Sequence, residues 1–318
     1  MMEHDSSRAI ELHQLVAGAQ LPAMPQSAII LLELAQDPDN GPAEFAAPIE
    51  ADPGLTSQVL RFVNSSYFGF SREISNVKLA ITLVGIRTIK NFALWSAVFS
   101  LMPNPRCGPF DLRGLWQDSL RRALFARSMA RILGQVEPEE AFAAALLQDM
   151  AVPLLAKELA EDYLELLDQR ETGARLSTLE QARFGWTHAD AGRLLAENWK
   201  LPEEFGALIG SHCQLVELLA GSKATKNELA VSLSSLLPSV ADADWRERNA
   251  FLAAYRHLTG GAAAPSLEEL FARLDAEFEE FAPILKLTAP PHTLVQLLAA
   301  EEDATPHNAE LSLAEQAC

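Results

Sequence analysis

Three consecutive segments decide the fold: Ile49-Glu-Ala-Asp-Pro-Gly-Leu55, Val59-Leu-Arg-Phe-Val-Asn-Ser-Ser-Tyr-Phe-Gly69 and Ile74-Ser-Asn-Val-Lys-Leu-Ala-Ile-Thr-Leu-Val-Gly-Ile-Arg87. Asp52 followed by Pro53 reads as an N-cap with proline at the first helical position, opening a helix over Gly54–Asn64. Asn64-Ser65-Ser66 closes it with side chains that bond nearby backbone, and Gly69 supplies conformational freedom. Leu83-Val84-Gly85-Ile86 places a glycine inside the next helix, at a cost of about 1 kcal/mol against alanine unless a neighbour packs closely there. Turn and close-packing positions are the plainer reading of this block; on the functional reading the exposed loop at Asn64–Gly69 is a docking surface, with Asn64, Ser65, Tyr67 and Gly69 as candidate partner-binding residues.

Outward from this block the signals stay helical. Ser177 with Glu180, and Ser266 with Glu269, have reciprocal capping-box spacing ahead of apolar-periodic runs. Thr187 caps a helix over His188–Trp199, and Leu201-Pro202-Glu203-Glu204 starts another, with acids in its first turn. No alternating strand and no Asn-Gly or Asp-Gly hairpin turn is present, so the chain reads as all-α with about a dozen helices. Met102-Pro-Asn-Pro-Arg-Cys-Gly-Pro109 cannot continue a helix. It divides an N-terminal helical unit (15–101) from a second one (110–220). A helical extension (221–300) and an acidic tail (301–318), expected to be disordered, follow.

The chain has 318 residues and a formal charge of −18. Such an acidic protein repels phosphate backbones, which argues against DNA as a partner. The average hides an asymmetry. From Arg61 to Arg131 eleven basic residues stand against three acidic ones, a local net of +8 that leaves −26 on the rest. Arg87 with Lys90, and Arg121 with Arg122, are the candidate anion-binding residues of this belt, and pairing with the acidic remainder is the reading favoured over an anion site. Three scattered cysteines, Cys107, Cys213 and Cys318, form neither a disulfide framework nor a zinc knuckle. The N-terminus lacks the layout of a signal peptide, and Val77–Leu101 is broken by Lys78, Arg87, Lys90 and Asn91, so membrane insertion is not expected. The expectation is a cytoplasmic protein.

The order of the opening block closely resembles the HDOD domain, an all-helical module of bacterial signalling proteins related to HD phosphohydrolases. The second half keeps the order too, with Leu115-Trp116, Ala141 to Met150, Phe184-Gly-Trp-Thr-His-Ala-Asp190, Trp199-Lys-Leu-Pro-Glu203 and Ser211-His212. The resemblance covers roughly residues 15–220 and implies an N-terminal helical subdomain packed on a degenerate HD-like one.

HD hydrolases hold a divalent metal with histidines and aspartates centred on a His-Asp pair, and the metal generates a nucleophilic hydroxide. The resemblance places the first histidine at Asp118 and the pair at Gln148-Asp149, so only Asp149 of the pair remains. Asp118, Asp149, His188 and His212 are left as vestigial metal candidates, and buried, hydrogen-bonded polar groups are the plainer reading of them. No phosphate-binding glycine loop, nucleophile elbow or Cys–His nucleophile spacing competes. The expectation is a regulatory protein without enzymatic activity or cofactor. It would bind other signalling proteins or a small anionic messenger such as a cyclic dinucleotide. A metal-dependent phosphohydrolase or phosphodiesterase is the alternative.

Overall fold

The computed structural model describes residues 12–300 except 20–22, 36, 38, 66–67, 106–107, 109, 171–173, 241, 243, 261–263 and 284. The acidic tail, Tyr67 and Cys107 lie outside the described residues. Among the described residues the fold is all-α with no strand. In chain order the helices are α1 (12–18), α2 (Gln26–Leu34), α3 (Pro42–Glu50), α4 (Pro53–Val63), α5 (Val77–Val84) and α6 (Ile86–Leu101). After the proline linker come α7 (Leu112–Ile132), α8 (Pro138–Leu147), α9 (Val152–Glu158), α10 (Ala160–Arg170), α11 (Leu176–Phe184), α12 (His188–Asn198) and α13 (Glu203–Ser211). The remainder are α14 (Leu215–Ala220), α15 (Lys226–Ser234), α16 (Arg248–Thr259), α17 (Leu267–Phe281) and α18 (Leu294–Ala299). None is long and apolar enough to cross a membrane.

The helices outnumber the expected dozen because several are short and separated by single breaks. Gly85 is one such break. It does not sit inside a helix as the sequence suggested. With φ +92° it ends α5 and starts α6, a backbone conformation side chains rarely allow. An added Cβ there would meet nothing nearer than 3.9 Å, so conformation and not close packing requires the glycine. Asp52 caps α4 as expected: its carboxylate accepts from the Leu55 N–H at 3.0 Å, Pro53 stands at the first position, and the Ser27 hydroxyl on α2 donates to the same carboxylate.

The two halves share one continuous apolar core. Phe99 of α6 meets Trp116 of α7 across the proline linker, with ring centroids 4.4 Å apart. Phe281 of α17 reaches Phe62 of α4 at 5.7 Å, so the C-terminal helices complete the core of both halves. Within the basic belt, Arg87, Arg122, Arg127 and Arg131 form ion pairs inside the protein. Arg127 is buried on α7, 2.7 Å from Glu277 of α17, with its guanidinium over the Phe142 and Phe281 rings. Arg131 pairs with Glu139 at 3.0 Å, and Arg87 of α6 pairs with Glu137 just before α8.

α7 is the axis of the second half, packed against α8, α15 and α17. α12 and α13 lie side by side, and Gly192 permits this: a Cβ there would come within 2.8 Å of Ile209 Cγ2. Thr187 forms a full capping box with Asp190, which fixes His188 at the first residue of α12. His212 is the C-cap of α13. The N-terminus of one helix and the C-terminus of the next therefore face each other.

Candidate functional site

Four side chains meet where these helix ends converge on the turn after α8. His188 Nε2 lies 3.1 Å from His212 Nε2. Asp149 Oδ1 is 3.3 Å from the first and 3.6 Å from the second. Cys213 Sγ is 3.6 Å from His188 Nε2 and 3.3 Å from His212 Nε2. Asp149 and both histidines are buried, and Cys213 is half-buried.

Each imidazole is held from behind. His212 Nδ1 is 2.6 Å from the Ile209 carbonyl oxygen, which can only accept, so Nδ1 carries the proton. His188 Nδ1 is 2.6 Å from Glu180 Oε2, which also accepts the His188 backbone N–H at 2.8 Å. The Tyr163 hydroxyl donates to the other oxygen of Glu180. The His188 backbone N–H and the Tyr163 hydroxyl both donate to this buried carboxylate, which as an acceptor also takes the Nδ1–H of His188. Glu180 corrects a sequence expectation. Ser177 does not cap α11, whose N-cap Arg175 makes no side-chain cap, and Glu180 turns inward to hold His188.

The electrostatics follow from this crowding. Burial pushes the His188 imidazole down, but Glu180, Cys213 and Asp149 outweigh it and hold it well above the ordinary value. His212 is pulled down by burial and lifted by Cys213 and Asp149, ending raised to about 9. Burial would raise the Cys213 thiol, yet the two imidazoles bring it well below its usual range. Burial would also raise Asp149, but Arg122 and both histidines hold it well below the usual carboxylate range. Tyr163 is pushed well up by burial and by Glu180, which keeps it a donor.

Of the vestigial candidates, Asp149, His188 and His212 come together. Asp118 lines the same cleft, with its carboxylate bonded to other protein groups. It accepts from the Ser239 hydroxyl and from the Val240 N–H at 2.8 Å, and burial raises its carboxyl against the opposing pull of Arg122. Gln148 is fully buried, takes a long contact of 3.4 Å from the Ser234 hydroxyl, and its Nε2 has no hydrogen-bond partner among the described residues. Arg122 donates to Asp149 Oδ2, placing a guanidinium beside the one retained carboxylate of the pair. The hydrolytic metal of the HD superfamily does not fit these residues: a neutral amide replaces its histidine, and Asp118 is already bonded to protein donors. A cleft of about 140 Å³, lined in part by Phe110, Leu115, Arg170 and Arg175, reaches the cluster.

The other candidates are spread over the molecule. Asn64 closes its loop, with Nδ2 donating to the carbonyls of Leu60 at 2.9 Å and Ile74 at 2.7 Å, and Oδ1 accepting the Ile74 N–H at 2.7 Å. The Ser65 hydroxyl donates to the Phe62 carbonyl at 2.7 Å, and Gly69 is exposed with φ +61°. The four basic candidates form no single anion pocket. Lys90 is lowered by burial and lies 6.0 Å from the Phe205 ring centroid, while Arg121 donates to the His292 carbonyl at 2.7 Å. Arg87 and Arg122 are in the ion pairs described above. Sequence reasoning missed Glu180, Tyr163 and Cys213. The adjacency of Cys213 to His212 was the one signal available for the last of them.

An all-α scaffold of this order defines a class: helical domains related to HD hydrolases. The HDOD domain model matches residues 21–215, and the chain belongs to that family. An HDOD domain protein with unknown function from Geobacter sulfurreducens has a similar structure, with TM-score 0.69 and 21% identity over 89% of this chain and 99% of that one. A Shewanella amazonensis protein described as a candidate phosphohydrolase follows at TM-score 0.63 and 23% identity, covering 91% of this chain and 98% of its own. At these identities the likeness is one of fold. An uncharacterized protein of Treponema pallidum (strain Nichols) is 23% identical over 58% of this chain and 36% of its own length. The uncharacterized protein YuxH of Bacillus subtilis (strain 168) is 30% identical over 40% of this chain and 30% of its own. The chain thus spans about a third of the length of these two curated relatives.

Proposed function

We propose that the chain is a non-catalytic regulatory module of bacterial signal transduction, working in the cytoplasm by binding other signalling proteins. One observation carries this reading: Arg122 supplies, from the protein itself, the positive charge beside Asp149 that a hydrolytic metal would supply. Gln148 and the bonded state of Asp118 support it, because neither is left as a ligand for a second charge. A protein partner is favoured over a cyclic dinucleotide. The four basic candidates are scattered, and the 140 Å³ cleft at Asp149 falls below the roughly 300–1,000 Å³ typical of small-molecule pockets, while the larger cleft of about 590 Å³ beside Asn64 sets two acids, Glu50 and Glu73, against one base, Arg61, which does not suit an anion.

The convergence of Asp149, His188 and His212 favours the second reading, a metal-dependent phosphodiesterase. One assay separates the two: the full chain with Mn²⁺, Mg²⁺ or Zn²⁺ against a generic aryl phosphodiester and a cyclic dinucleotide. The expected rate equals the protein-free blank. Turnover that disappears in Asp149→Asn establishes the hydrolase instead.

A further inference from the structure

We propose that Cys213 is a nucleophilic thiol that hydroperoxides oxidise to a sulfenic acid, with the imidazoles of His188 and His212 as its activating pair. α13 ends at Ser211, and Cys213 lies in the turn beyond it. It is half-buried, and it lines the cleft of about 140 Å³ that reaches the cluster. That space admits a molecule the size of hydrogen peroxide or a few waters. A structural cysteine sealed in apolar surroundings is inert, whereas a thiol open to a cleft and set beside cations is reactive.

Charge pairing around the sulfur points the same way. Both Nδ1 atoms donate backwards, to Glu180 and to the Ile209 carbonyl, so Nε2 is the atom each imidazole turns into the cluster. The nearest anion to His188 Nε2 is Asp149 Oδ1 at 3.3 Å, and His212 Nε2 has Cys213 Sγ, also at 3.3 Å. The crossed distances are longer, 3.6 Å in both cases. Arg122 holds Asp149 by its other oxygen. With both imidazoles protonated, Arg122, His188 and His212 face the carboxylates of Glu180 and Asp149, and a thiolate at Cys213 completes the balance. His212, raised to about 9, keeps its proton at neutral pH, and burial of the thiol is outweighed by the two imidazoles.

The other charges of the cleft are already engaged. Asp118 is bonded to Ser239 and Val240, Asp111 accepts the Arg113 N–H, Arg170 pairs with Asp242, and Arg175 lies 3.9 Å from Glu247. Tyr163, behind Glu180, stays a neutral donor. The two imidazoles are therefore what sets the state of the sulfur.

In the reaction the sulfur attacks the near oxygen of the peroxide. The S–O bond forms as the O–O bond breaks, the sulfur gives up an electron pair, and the peroxide is reduced. The leaving hydroxide or alkoxide takes the Nε2 proton of His212 and departs as water or alcohol, leaving a sulfenic acid and a neutral imidazole. The proposal does not rest on the non-catalytic reading, because its readout is thiol chemistry, which phosphodiester turnover does not move.

Alkylation of the full chain carrying Cys107→Ser and Cys318→Ser, in which Cys213 is the single thiol, tests it. With iodoacetamide the expected rate changes less than about twofold between about pH 8 and about pH 6, whereas a free-cysteine standard of pKa about 8.5 slows about 80-fold. Substoichiometric hydrogen peroxide followed by dimedone is expected to give one adduct, mapped to Cys213 by mass spectrometry. His188→Asn with His212→Asn, in a chain that circular dichroism shows to be folded, restores the steep pH profile. If that pair of changes unfolds the chain, the first two readouts decide. Three results overturn the proposal: a rate that follows the free-cysteine profile, no dimedone adduct in the folded chain, or a flat profile that survives loss of both imidazoles.

Discussion

The loop from Asn64 to Ile74 and the pocket around Asp149 use similar polar groups to opposite ends. In the loop the Asn64 amide gives two hydrogen bonds to carbonyls and takes one from an N–H. That side chain is spent on holding its own turn. In the pocket, the two histidine nitrogens lie 3.1–3.6 Å from each other and from Asp149 and Cys213, and the two raised imidazoles bring the positive charge that the carboxylate and the sulfur face. Neutral hydrogen bonds hold the loop, and charged ones hold the pocket.

The largest expected effect comes from Arg122→Met, which leaves Asp149 buried without its guanidinium and costs about 3–5 kcal/mol in urea unfolding. A loss under about 1 kcal/mol, the scale of an exposed pair, would show that the Arg122–Asp149 contact is solvent-screened and the pocket no different from the surface. Next is the pH response. The His212 imidazole, raised to about 9, contributes stability that is fully present below about pH 6.5 and is lost as pH rises through about 9. Urea unfolding across that range reads the loss, whereas the loop, with no titratable group in the Asn64 bonds, keeps its stability contribution. Third, Asn64→Ala strands the Ile74 N–H and costs about 1–3 kcal/mol, the same at about pH 6 as at about pH 9. A cost that changes with pH over that range would erase the distinction between the two regions. The smallest effect is Thr187→Ala, which removes the cap that places His188 and costs about 1 kcal/mol.

Local chemistry made much of the fold legible. Asp52-Pro53 and Thr187 act within three or four residues of themselves, and both open helices where the sequence says. The same local rule misreads Ser177–Glu180. Capping-box spacing is satisfied there, but an outside competitor decides the outcome, since Tyr163 and the His188 Nδ1 and backbone N–H offer Glu180 three donors in the interior. Gly85 was read as helical because its flanks are apolar on both sides, and only its positive φ reveals the break. Cys213 was hidden for a geometric reason. Neighbours in a helix point about 100° apart, so a His-Cys pair reads as two separate positions. α13 ends at Ser211, and in the turn beyond it both side chains can reach the same point. The charge belt was the reverse case: its sum was visible in sequence, but only the packing of α7 against α8 and α17 showed where the opposite charges lay.

The central claim is that Arg122 takes the place beside Asp149 that the charge of a hydrolytic metal would need, so the pocket does not hydrolyse phosphodiesters. Incubation of the full chain with Mn²⁺ and a generic aryl phosphodiester tests it most directly. The account predicts a rate equal to the protein-free blank. Turnover that disappears in Asp149→Asn would contradict it.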